Sequence, residues 1–207
     1  MKIASLLLVA ATAITTCYAK NPDNTGFHAQ AGGVAGPNFR KVLDAVAGDA
    51  TITSRDESIS TVTGAVYWQF SNGIGVGADL GPIIPFTVKF WNAHYIEHTE
   101  TVSATLIPVG IFARYDFFPT KSIAPFVRAG VRKTFVVGDD VTDGEPVGLF
   151  GGAGIEFMHN RTVRVGAEIG FDTTTIKVLG AQKPYYVRTK VTEVKPFAVT
   201  FSVYASF

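Results

Sequence analysis

From about residue 26 onward, apolar side chains recur at every second position in run after run, the period of an extended strand with two unlike faces. The last run is the clearest. Phe197, Val199, Phe201, Val203, Ala205 and Phe207 share one face, while Ala198, Thr200, Ser202, Tyr204 and Ser206 share the other. Three earlier stretches follow a common plan of an aromatic-ended strand, a short turn and a Val-x-Ala-x-aliphatic strand. In the first, Tyr67-Trp68-Gln69-Phe70 leads through Ser71-Asn72-Gly73 to Val76–Gly81; in the second, Arg114–Phe117 turns around Pro119–Ser122 into Val127–Val131. In the third, Gly154–Phe157 turns around His159–Arg161 into Val165–Gly170. The Asn-Gly of the first is a strong hairpin signal. With a first strand near 26–36, carrying Phe27, Ala29 and Ala31 on one face, the pattern predicts eight strands.

Short turns then alternate with long polar connections over 37–60, 82–101, 138–146 and 173–194. That alternation predicts an all-β chain forming an eight-stranded antiparallel up-and-down transmembrane β-barrel. The faces separate this from a soluble sandwich or barrel, which buries its apolar side. Here the apolar face is small to medium, with aromatics at the strand ends. Phe70, Phe117, Phe157 and Phe207 fall at one height, as a periplasmic interfacial girdle would. The opposite face alternates glycine with charge: Asp79, Arg114, Asp116, Arg128, Arg132, Glu156, Arg164, Glu168 and Asp172. In a membrane barrel these side chains meet in the lumen and can pair. One segment breaks the pattern. Phe39, Val42, Leu43 and Val46 have helical spacing, which predicts a short amphipathic helix within Asn38–Gly48; capping the barrel mouth, lying on the outer leaflet and contacting a partner are equally open to it.

The chain's start changes the compartment. Lys2, then the apolar run Ile3–Ala11, then Cys17-Tyr18-Ala19 reads as a secretory signal peptide cut after Ala19. The predicted organisation is therefore a leader, 1–19, and one barrel domain, 20–207. A lipoprotein acylated at Cys17 is the alternative, disfavoured because Thr16 stands where a small residue is usual. Cys17 is the only cysteine, so the mature domain has no disulfide framework. Lys2 is one of 18 Lys and Arg, so 17 remain against 17 Asp and Glu after cleavage. That balance gives no electrostatic reason to expect nucleic acid. The 21 glycines and 16 phenylalanines agree with β architecture and close backbone approaches.

Three stretches carry a family likeness. Pro125-Phe126-Val127-Arg128-Ala129-Gly130-Val131 resembles a strand recurring in the small bacterial outer-membrane β-barrels (OmpA/OmpX-like, porin-like), although Arg128 stands where that pattern has glycine. Gly151–Phe157 resembles the strand that follows it, and the last strand with its terminal Phe207 is similar to their assembly signal. The resemblance implies integral placement in the Gram-negative outer membrane with periplasmic termini. It also implies lipid and lipopolysaccharide as surroundings, and insertion by the barrel-assembly machinery.

Three roles are open to such a chain. The first is a structural or surface-interaction (adhesin-like) barrel whose external loops meet a host or surface ligand. Its nine lumen charges are then an internal ion-pair network, since an unpartnered charge in a narrow barrel is costly. The second is a small porin-like channel, with Gly77, Gly130, Gly166 and Gly170 leaving room for water. The third, a lipid-modifying enzyme, lacks a workable Ser/His arrangement: His28 and His159 fall at the periplasmic end, His159 in a turn. No enzyme activity and no cofactor is expected. His94, Glu97, His98 and Glu100 form the only metal-like cluster, but on a loop or extended hairpin the two histidines lie about 13 Å apart. No metal site is expected.

Overall fold

The computed structural model describes residues 25–35, 40–48, 50–57, 62–92, 98–144, 146–159, 162–182, 187–196 and 198–207. The leader 1–19, Phe197, His94 and Glu97 lie outside the described residues. Among the described residues, twelve strands and one helix follow in chain order: β1 (Gly26–Ala35), α1 (Arg40–Ala47), β2 (Thr51–Glu57), β3 (Val62–Gln69), β4 (Ile74–Leu80), β5 (Ile84–Asn92) and β6 (His98–Asp116), then β7 (Ile123–Gly138), β8 (Val147–Phe157), β9 (Arg164–Asp172), β10 (Ile176–Gln182), β11 (Val187–Val194) and β12 (Val199–Ser206).

Eight of these strands close into an antiparallel barrel. β1 pairs with β3 on one side and β12 on the other, and the ring runs on through β4, β6, β7, β8 and β9 back to β12. The closing seam is in register from Gln30 opposite Ser206 to Ala35 opposite Phe201. Closure leaves none of the eight with an unpaired edge at barrel height. Alternation along each strand then sorts residues into lumen and exterior, and the sorting is inverted relative to a water-soluble protein. Val66, Trp68, Val76, Ile111, Tyr115, Val127, Val131, Leu149, Ile169, Phe201 and Val203 are exposed, whereas Asp79, Arg114, Arg132, Glu156, Arg164, Glu168 and Asp172 are buried. Such an exterior suits hydrocarbon rather than water.

Much of the long polar connections over 37–60, 82–101 and 173–194 is regular structure. β5 and the upper half of β6 form a hairpin above the barrel, from Ile84 opposite Leu106 to Asn92 opposite His98. β2 adds to its edge, and β10–β11 form a second hairpin. Together with α1 they enclose a core of their own: Val42, Leu43, Ala45, Val46, Ile84, Phe86, Val88, Val102, Ala104, Leu106, Val141, Ile176, Val178 and Val194. We call this unit the cap. The predicted helix within 38–48 is described over 40–47, and it ends on Gly48 in the left-handed region (φ 58), whose N–H donates to the Asp44 carbonyl. It lies so close to β10 that a Cβ on Gly180 would sit 2.2 Å from the Ala45 carbonyl oxygen.

β6 belongs to both units. Every even-numbered residue from Val102 to Asp116 is buried, and every odd-numbered one is exposed or half-buried. The lower part of that buried row faces the lumen; the upper part faces the cap core.

Candidate functional site

Within the barrel the described side chains form two layers. In the floor, near the tight turns, Arg114 is the hub. Its Nε donates to Asp116 Oδ1 at 2.7 Å, and its Nη2 lies 3.0 Å from Glu156 Oε1. The guanidinium also covers the Phe126 ring at 3.9 Å. Gln69 donates to the other Asp116 oxygen. Glu156 collects further partners from around the ring: Tyr204 Oη (3.2 Å), Gln30 Nε2 (3.3 Å), His159 Nδ1 (2.7 Å) and Arg164 Nη1 at 3.7 Å. His28 stacks on Tyr67 beside this cluster. Two arginines and two carboxylates cancel here, which is how a buried set of charges becomes tolerable.

The upper layer joins strands across the lumen. Arg128 Nε donates to Glu168 Oε1 at 2.7 Å. Arg132 bridges two carboxylates, donating to Asp172 Oδ2 at 2.8 Å and to Asp79 Oδ2, and it lies over the Phe150 ring at 4.1 Å. All nine charged residues singled out from the alternation therefore lie in the lumen and enter these ion pairs.

The glycines behave differently from expectation. Each inward aromatic sits directly across from an inward glycine on a neighbouring strand: Tyr67 from Gly77, Phe112 from Gly77 and Gly130, Phe126 from Gly154, Phe150 from Gly130, Tyr204 from Gly32 and Gly166. A Cβ at Gly166 would lie 2.4 Å from the Tyr204 ring. So Gly77, Gly130 and Gly166 make room for rings, not for water, while Gly170 faces Thr200. Space for water lies elsewhere, in a cavity of about 40 Å³ lined by Gln30, Thr63, Thr200, Ser202, Asp79 and Arg132. Among the described residues, Asp79 Oδ1 and Arg132 Nε have no hydrogen-bond partner. That volume and polarity suit bound water.

Comparison with solved structures bears on the architecture alone. The outer membrane protein OprG of Pseudomonas aeruginosa superposes with a TM-score of 0.58 over 88% of this chain and 95% of that one, at 14% identity. Outer Membrane Protein W of E. coli gives 0.50 over 88% and 97%, at 18% identity. This chain has the fold of the small outer-membrane barrels. No protein-family model matches the sequence, and no curated protein sequence does either.

The remaining expected residues fall as follows. Phe70, Phe117 and Phe157 are exposed and Phe207 is half-buried, all at the tight-turn end. His159 is in the expected turn, and its side chain is buried. Met158 adopts the left-handed region (φ 55), the His159 N–H donates to the Ser122 carbonyl, and the ring is buried against Glu156. His98 and Glu100 are in β6, and among the described residues no group of three His, Cys, Asp or Glu could hold a metal ion. Sequence reasoning missed the floor roles of the aromatics, Gln30, Gln69 and His28 and, apart from Val42, Leu43 and Val46 of the predicted helix, the cap core. The inward parity shared with the charges was the available signal for the first group.

Proposed function

We propose that this chain is an integral barrel of the bacterial outer membrane whose role is structural or surface-interacting, exercised by the cap. The observation that carries this reading is the inverted burial: paired charges inside and an apolar exterior on all eight barrel strands. The filled floor and the packed cap favour an anchor over a conduit. In this reading residues 1–19 are a cleaved leader and the termini lie on the tight-turn, periplasmic side. Lipid and lipopolysaccharide surround the exterior, the barrel-assembly machinery inserts the chain, and the cap meets a host or surface ligand. Heat-modifiable mobility tests the barrel: folded protein should migrate differently unboiled and boiled on SDS gels, and identical migration would count against it.

A second reading, a small channel, is favoured by the hydroxyl-lined cavity beside Asp79 and Arg132. Recording from pure protein in planar bilayers separates the two. Sustained ohmic steps would support the channel and remove the anchor-only reading.

A further inference from the structure

Among the described residues, only two that are not glycine have a left-handed backbone: Phe118 (φ 62) and Met158 (φ 55). Each follows directly on an outward phenylalanine at the end of a barrel strand, Phe117 after β6 and Phe157 ending β8. Both are exposed, Phe118 at 65% and Met158 at 47%. A residue with a Cβ pays a steric penalty in this region that glycine does not, and the β3–β4 turn uses Gly73 (φ 86). Turn geometry therefore accounts for the conformation at 118 and 158 but not for the large apolar side chains. In water those side chains would return nothing for the strain. They do not stand alone, however. Phe70, Phe117, Phe157, Ile123 and Val163 are exposed at the same end of the barrel, so the two residues extend the apolar exterior past the last strand pair.

We propose that Phe118 and Met158 are lipid anchors, immersed at the boundary between headgroups and acyl chains of the leaflet on the tight-turn side. They hold the β6–β7 and β8–β9 turns at that depth. This rests on the membrane reading above. The partner is the phospholipid interface itself, for which amphipathic and aromatic side chains at that depth are suited. Continuity with the lipid-facing belt favours it over a docked soluble protein.

The test uses the full mature chain with Trp68 and Trp91, its two tryptophans, changed to Phe. Single reporters are then placed as Phe118→Trp, Met158→Trp and Ile111→Trp, the last at the most exposed apolar position of the belt. Each protein is folded into phosphatidylcholine vesicles with and without brominated acyl chains. Anchoring requires that the reporters at 118 and 158 emit blue of the unfolded protein and lose intensity to brominated lipid more than to acrylamide. Emission like that of the unfolded protein with acrylamide quenching, while the reporter at 111 is quenched by bromine, would overturn the proposal. That outcome leaves those turns in water or free for a protein partner. If the reporter at 111 also escapes bromine, the membrane reading fails and the anchors fail with it. Should a tryptophan variant not fold, Phe118→Cys or Met158→Cys gives the same readout through an environment-sensitive dye, because Cys17 is the only cysteine and lies in the leader.

Discussion

Arg132 offers the sharpest quantitative test of the lumen network. It stands between two carboxylates, Asp79 from β4 and Asp172 from β9, and both of those side chains are almost fully buried. Counting only these three groups, the cluster carries one more negative than positive charge. Arg132→Met removes the sole cation of the trio and leaves two facing carboxylates, so the cost should reach about 3–5 kcal/mol, as for other buried pairs broken from one side. Asp79→Asn behaves oppositely. Its amide oxygen still accepts from Arg132, the surplus negative charge disappears, and the loss should be about 1 kcal/mol or less. Combining Arg132→Met with Asp79→Asn and Asp172→Asn should recover most of the deficit, because no uncompensated charge remains. Urea titration of protein folded in lipid vesicles, followed by tryptophan fluorescence and analysed by linear extrapolation, measures all three. The reasoning is refuted if Arg132→Met lies within about 1 kcal/mol of the parent, or if Asp79→Asn costs as much as Arg132→Met.

Other expectations follow from the same layers. Ala167 points outward between Val165 and Ile169, so Ala167→Arg should cost about 2–4 kcal/mol in vesicles. Gly166→Ala should cost about 1–3 kcal/mol by pressing a Cβ on the Tyr204 ring, and stability equal to the parent's for either change would show the faces to be misassigned. Leu43 is fully buried in the cap core, so Leu43→Ala should destabilise the cap by about 2–5 kcal/mol. It should speed proteolysis within 40–57 and 176–194 yet leave the heat-dependent gel shift intact; loss of that shift would mean that cap and barrel fold as one unit. Sequencing the N-terminus of protein purified from membranes should read from Lys20, and a start at Met1 would count against the leader.

The barrel was readable because both its environments are chemically stark. Where lipid lies on one side and a crowded lumen on the other, Val165, Ala167 and Ile169 cannot be confused with Arg164, Glu168 and Asp172. Hairpin turns such as Ser71-Asn72-Gly73 then set the order of strands. Apart from α1, the cap was not readable, for a related reason. Ile84, Phe86 and Val88 alternate with Pro85, Thr87 and Lys89, so the period of two was present, but prolines and flanking charges resembled a solvated loop. Its core also draws on segments distant in sequence, and no local pattern announces that Leu43 will share a core with Ile176 and Val178. The burial of His159 depended on a left-handed Met158, a conformation that sequence reserves for glycine or asparagine. The fate of the glycines was a matter of register: only pairing reveals that Tyr204 lies opposite Gly32 and Gly166.

The unbroken phase of β6 constrains how this protein can be altered. Nineteen residues in one strand amount to a rod on the order of 60 Å. Its even positions belong to the interior from Val102 in the cap down to Asp116 in the floor. Deleting one residue between Leu106 and Gly110 would turn the rod half a pleat. Either the cap would lose Val102, Ala104 and Leu106 to solvent, or the barrel would present Phe112, Arg114 and Asp116 to hydrocarbon. Changes of two residues would shift height and keep the phase. Exchanging caps between such barrels is therefore a parity problem before it is a sequence problem, and only grafts that change the rod by an even number of residues should yield folded chimaeras.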